Sequence, residues 1–210
     1  FFEELGPEGC ARIEAVAMDM NTAFDLEVRQ HCPNARVVYD LFHVVAKYGR
    51  EVMDRVRVDQ ANQLRDDKVA RKVVKGSRWL LLRNADNLKP EQAVKLEELL
   101  AANASLTTVY VLKDQLKTLW FADDETTARS AWQEWADMAL GSGIDALVHF
   151  ARKLEPYLEG IVSSARHRLN TSVLEGMNNR IKVIKRMAYG YRDTAYFFLK
   201  IRAAFPGKVR

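Results

Sequence analysis

Cysteine is scarce in this 210-residue chain, which has two, Cys10 and Cys32. Their spacing gives neither a CxxC pair nor a zinc-like pattern, so two reduced thiols are the default reading. No apolar run approaches the roughly 20 residues that a membrane span needs, which excludes a helical membrane protein. The opening residues Phe1-Phe2-Glu3-Glu4-Leu5-Gly6 carry no initiator methionine and no basic-then-apolar secretion signal. They are expected to enter the middle of a longer, cytoplasmic protein. Internal repeats and low-complexity segments are absent as well. What is there is ordinary for a globular chain, 48% hydrophobic and 29% charged, and the length is enough for a real core.

Charge is modest in sum and uneven in place. Net charge is +4, yet from Ser163 to Arg210 eleven Lys and Arg oppose only Glu175 and Asp193. That stretch carries +9 and Phe1–Val162 carries −5. A basic block of this kind suits a polyanionic partner, and it equally suits a solvated helical face. Charge alone does not decide between them.

Hydrophobic spacing sets the organisation. Ile13-Glu14-Ala15-Val16-Ala17-Met18 is short and mostly apolar, and the turn-favouring Asp19-Met20-Asn21 after it predicts a strand. Thr22 to His31 spaces Phe24 and Val28 four apart and predicts a helix capped near Asn21 or Thr22, stopped by Cys32-Pro33-Asn34. Arg36-Val37-Val38-Tyr39 reads as a second strand with Asp40 at its end. Strand, helix and strand in about thirty residues make a βαβ unit, whose strands are parallel neighbours. From Leu41 onward only helical spacing remains, in segments from Leu41 to Asn62, Lys68 to Arg83, Pro90 to Asn103, Leu106 to Phe121, Glu125 to Leu140 and Ile144 to Leu158. Trp79, Trp120, Trp132 and Trp135 fall inside these helices and are expected in the core.

The end of the chain is the most informative part. Ser172 to Met187 places Val173, Met177, Ile181, Ile184 and Ala188 on one helical face. A second face carries Glu175, Asn178, Asn179, Lys182, Lys185 and Arg186, one acid followed by two amides and three cations. Tyr189-Gly190-Tyr191 breaks the helix, and Thr194 to Ala204 forms an aromatic-rich successor.

Three carboxylates and one histidine are the candidates for chemistry. Asp19 and Asp40 close parallel strands, where open α/β sheets place their ligands. Glu175 heads the cationic stripe, and hard oxygen ligands beside such a track suit Mg²⁺-dependent phosphoryl chemistry on nucleic acid. Each residue also has a local explanation. Asp19 is a turn residue, Asp40 a helix cap, His43 a packed imidazole bonded to Asp40, and Glu175 the partner of Ser172 in a capping box.

Taken together and in order, these motifs resemble the insertion-sequence transposases of the ISL group. The resemblance rests on Val16-Ala17-Met18-Asp19-Met20 and on Pro33-Asn34-Ala35-Arg36-Val37-Val38-Tyr39-Asp40-Leu41-Phe42-His43-Val44. It continues in Gly76-Ser77-Arg78-Trp79-Leu80-Leu81-Leu82-Arg83-Asn84 and is densest in Glu175-Gly176-Met177-Asn178-Asn179-Arg180-Ile181-Lys182, Lys185-Arg186 and Ala188-Tyr189-Gly190-Tyr191-Arg192. It covers nearly the whole chain.

The resemblance implies an α/β, mostly α, fold: part of an RNase H-like core of the DDE type, interrupted by a large all-helical insertion. On this reading residues 1–45 belong to the core, 46–165 are the insertion, and 166–210 return to the core with the last acidic residue. Asp19 matches the second catalytic Asp and Glu175 the catalytic Glu, both metal ligands, while Asp40-x-x-His43 supports the site. Asn178, Asn179, Lys182, Lys185, Arg186 and Arg192 are the implied DNA-binding residues. The cofactor is Mg²⁺, with Mn²⁺ as a substitute, as two ions about 4 Å apart. The partners are double-stranded DNA, as transposon ends and target, and further copies of the parent protein. The setting is the bacterial nucleoid. The first Asp is expected upstream of Phe1, so this stretch alone is not expected to cleave DNA. The alternative is a non-catalytic DNA-binding or assembly module derived from a truncated transposase.

Overall fold

The structure is a computed structural model that describes residues 1–169 and 171–206; the side chains of Ser172, Val173 and Leu174 lie outside the described set. The chain divides into two compact units, Phe1–Leu169 and Asn170–Arg210, and each is described by itself.

The first unit opens with α1 (Phe2–Ala11), which is broken at Gly6-Pro7 where Gly6 takes φ 71°. Glu3 and Glu4 are exposed on it. Strand β1 (Ala15–Met18) leads into α2 (Thr22–His31) and then β2 (Arg36–Tyr39). The predicted cap holds: Asn21 Oδ1 accepts from the backbone N–H of Ala23 at 3.0 Å and of Phe24 at 3.5 Å. The two strands pair in parallel, Ala15 opposite Arg36 through Met18 opposite Tyr39, as the βαβ spacing requires.

The rest is helical. Helix α3 (Leu41–Tyr48) runs through a π turn (Gly49–Met53) into α4 (Asp54–Gln63), and α5 (Lys68–Gly76) is followed by α6 (Arg78–Leu82). Then come α7 (Pro90–Ala101), α8 (Ala104–Thr118), α9 (Glu125–Gly141), α10 (Asp145–Leu154) and α11 (Leu158–His167). Two boundaries differ from the sequence reading. The segment Lys68 to Arg83 is two helices, because Ser77 turns back and its Oγ donates to Val74 O at 2.7 Å. The chain beyond Leu158 is also helical: Pro156 sits in a 3-10 turn (Glu155–Tyr157) and α11 follows at once.

That unforeseen helix is central. Along α11 Gly160, Ile161, Val162, Ser163, Ser164 and Ala165 are all buried. The small residues among them let it lie close against β2, where a Cβ on Gly160 would meet the ring of Tyr39. On the same strand Trp120 Nε1 donates to Tyr39 O at 2.8 Å, giving the last strand carbonyl a buried partner. The Tyr39 hydroxyl donates to Asp25 Oδ1 at 3.1 Å, and burial first, then the Asp25 carboxylate, push that phenol up to about 12. Trp135 and Tyr48 are tied in the same way, to Leu112 O at 2.9 Å and Val109 O at 2.8 Å. Three of the four tryptophans are in the core as expected; Trp79 is 65% exposed and is not.

Helix α8 carries a buried cation. Lys113 is 2% exposed, and its Nζ donates to Leu81 O at 2.8 Å and Arg83 O at 3.3 Å. It thereby closes the carbonyl end of α6. Burial lowers this ammonium from 10.5 to about 8.

The second unit is a helix pair, α12 (Ser172–Met187) and α13 (Thr194–Ala204). The connection turns at Tyr189 (φ 51°) and Gly190 (φ 100°), a left-handed pair that ends α12 as Tyr189-Gly190 suggested. Asp193 Oδ1 caps α13 by accepting from Tyr196 N at 3.1 Å. Tyr191 stacks on Phe197 at 4.8 Å, and Arg180 lies 5.3 Å from the Phe205 ring centroid.

Two stability predictions follow from this packing. Gly160→Ala gains about 1 kcal/mol of helix propensity but loses more to overpacking against a ring that cannot yield, for a net loss of about 1–2 kcal/mol in urea unfolding. Lys113 holds fewer protons folded than unfolded between about pH 8 and 10.5, so stability rises with pH in that window. The gain from pH 8 to 9.5 is about 1.5 kcal/mol, and it disappears in Lys113→Met. Above pH 10 the raised phenols of Tyr39, Tyr48 and Tyr110 reverse the trend, because the unfolded chain ionises first.

Candidate functional site

Parallel register places two acids side by side. Met18 stands opposite Tyr39, and Asp40 N donates to Met18 O at 3.1 Å, so Asp19 and Asp40 leave neighbouring strand ends together. Their environments then diverge. Asp40 is buried and caps α3, its Oδ1 accepting from Phe42 N at 2.7 Å. Asp19 precedes the turn into α2 and its side chain is 50% exposed.

One helical turn after the cap, His43 comes back over the first strand. Its Nε2 lies 2.8 Å from Asp19 Oδ1, an ion pair when the imidazole is protonated. His43, expected as a packed imidazole bonded to Asp40, is instead part-exposed and reaches Asp19 across the two strands. Asp19 and Asp40-x-x-His43, two separate sequence motifs, form one site. The Phe42 ring meets the imidazole edge-on at 5.5 Å.

The remaining candidates belong to the second unit. Glu175, Asn178, Asn179, Lys182, Lys185 and Arg186 are all exposed on α12, and Arg192 is exposed after it. The opposite face, Met177, Ile181 and Ile184, is half-buried; Val173 lies outside the described side chains and Ala188 is exposed. Thr171 occupies the N-cap of α12, which puts Ser172 at the first helical position and Glu175 one place beyond the capping-box partner. The Ser172 side chain, on which the capping-box reading of Glu175 rests, lies outside the described residues.

Among the described residues no three His, Cys, Asp or Glu side chains converge as a metal site. Asp19 by itself has the donor chemistry for a hard divalent cation, an open carboxylate with one oxygen held by His43. Sequence reasoning passed over Trp79 as a core residue; the signal that could have corrected it is Arg78 beside it, whose guanidinium sits 5.3 Å from the ring centroid.

A transposase family model, that of the DDE-type ISL3 group, matches residues 1–201. The chain belongs to this transposase family. The transposase for insertion sequence element IS1001 of Bordetella parapertussis is 64% identical over 210 residues, 100% of this chain and 52% of that protein. The transposase for insertion sequence element IS1557 of Mycobacterium tuberculosis is 27% identical over 214 residues, 92% of this chain and 48% of that protein. The chain thus spans about half the length of the curated relatives it matches. No solved structure matches this transposase chain. Among its described residues no helix is long and apolar enough to cross a membrane.

The His43–Asp19 pair is half-exposed, so its contribution to folding is small. His43→Ala should change urea-unfolding stability by less than about 1 kcal/mol. A larger loss would mark the imidazole as a structural element.

Proposed function

We propose that this chain is the C-terminal part of the catalytic domain of a DNA transposase, and that its parent protein cuts and joins DNA strands to move an insertion sequence. The observation that carries the proposal is the open Asp19 carboxylate, steadied by His43 at the end of a parallel strand, within a chain of this family. In this reading residues 1–45 are part of an RNase H-like core, residues 46–165 its helical insertion, and residues 166–210 the returning core helices. Further strands of the core and one more acidic ligand come from the rest of the parent protein, which acts as an oligomer on bacterial cellular DNA.

Asp19 and Glu175 would hold Mg²⁺ or Mn²⁺. Such a metal would supply Lewis-acid activation of the attacking oxygen and stabilisation of the leaving oxygen. His43 is a positioning residue that holds Asp19 Oδ1, and Asp40 fixes the start of the helix that carries His43. Asn178, Asn179, Lys182, Lys185, Arg186 and Arg192 contact phosphates, which aligns the strand without reading its sequence.

The test uses the full-length protein and a DNA duplex carrying a transposon end. Asp19→Asn and Glu175→Gln should each lower Mg²⁺-dependent nicking by about a hundredfold or more, while His43→Ala lowers it by about tenfold to a hundredfold. Undiminished nicking in either carboxylate variant overturns that residue's assignment. Tight DNA binding with no nicking by the wild type supports the non-catalytic alternative.

A further inference from the structure

The deficit of charge in the first part of the chain hides a local excess. Between Arg65 and Arg83 seven Lys and Arg stand against Asp66 and Asp67 alone. Asp67 is engaged locally, its Oδ1 accepting from Val69 N at 3.1 Å and Ala70 N at 2.9 Å as the cap of α5. Arg65, Lys68, Lys72, Lys75 and Arg78 are all exposed. Among the described residues the first four have no ion pair, and Arg78 has a long one, 3.5 Å, to Asp54.

The spacing of these cations opposes the stability of the helix that carries them. Lys68, Lys72 and Lys75 follow one another at i+4 and i+3 on a single face of α5, and like charges so placed repel by about 0.2–0.5 kcal/mol per pair. Lys68 occupies the first helical position, where the helix dipole favours an acid. Local stability therefore gives no reason for the arrangement. An external polyanion does. The axial rises from Lys68 to Lys72 and on to Lys75 are about 6 Å and 4.5 Å, and duplex DNA offers a phosphate charge every ~1.7 Å of its axis.

The surface beside the cations is apolar and open. Val69 is 77% exposed, Val73 58% and Trp79 65%, with the Arg78 guanidinium over the Trp79 ring. A groove of about 770 Å³ begins at Val73 and Lys72 and runs toward Leu99 on α7 and Ala102 just past its end. Its charged lining is Lys72 from α5 with Lys95 and Glu98 from α7, so cations outnumber acids along it.

We infer that the cationic face of α5 with Arg78 is a phosphate-backbone site for double-stranded DNA, separate in its residues from the stripe on α12. It shares only its ligand class with the proposed function. Backbone contacts of this kind fix where the duplex lies and confer no sequence preference.

Fluorescence anisotropy of the 210-residue chain on a labelled duplex of about thirty base pairs, from 50 to 200 mM salt, tests the site. Lys68→Ala/Lys72→Ala/Lys75→Ala should weaken binding at least about tenfold and flatten the slope of log affinity against log salt by two to three units, about 0.9 per lost phosphate contact. The charge-keeping Lys68→Arg/Lys72→Arg/Lys75→Arg should retain both, which separates charge loss from misfolding. Lys182→Ala/Lys185→Ala is the independent arm. Loss there with no loss in the alanine triple overturns the α5 site and spares the proposed function. Loss in the triple with none in the pair supports the α5 site and overturns Lys182 and Lys185 as phosphate contacts. An unchanged slope in a folded alanine triple, with or without self-association of the wild type through this face, also overturns it.

Discussion

The parallel pairing of β1 with β2 is the constraint on which the candidate site depends. Four residue pairs, Ala15 with Arg36 to Met18 with Tyr39, fix the relative height of the strand ends. A slip of one residue would turn Asp19 to the other face and separate it from the helix that follows Asp40. With the register as it stands, the cap at Asp40 starts α3 where one turn returns His43 to Asp19. A short strand pair thus does what neither motif does alone.

A two-stranded sheet is marginal without cover, and the cover comes from far along the chain. Helix α11 brings Gly160 to the ring of Tyr39, and Trp120 brings its indole N–H to the Tyr39 carbonyl. Tyr39 is gripped on its ring, its hydroxyl and its carbonyl, and the next residue is the Asp40 cap. The helices between residues 46 and 165 therefore share one hydrophobic core with the strands, from Met18 and Val37 to Trp135 and Phe150.

Much of the local structure was legible. The limits of α2, β2, α9 and α12 follow from caps and spacing, since Asn21, Asp40 and the left-handed Tyr189-Gly190 are signals within a few residues of the chain. Helix α11 was not legible, because its face of Gly, Ser and Ala has little apolar periodicity. Trp79 was misread for a related reason. An aromatic residue at helical spacing looks the same inside or outside until the neighbouring helix is placed, and the break at Ser77 turns this one outward.

By itself the sequence determined the βαβ opening, the acid, amide and cation stripe on α12, and the family. These are matters of spacing and order, which are covalent and need no partner. Only the tertiary structure decided that His43 meets Asp19, that Asp40 is buried while Asp19 is open, and that Lys113 closes the end of α6 from thirty residues away. Each depends on which strand end or helix end lies beside which, and that is fixed by burial of Tyr39, Trp120 and the small face of α11 rather than by any neighbour in the chain. The same holds for the cations of α5. Their number is in the sequence, but their freedom from acidic partners is a property of the folded surface.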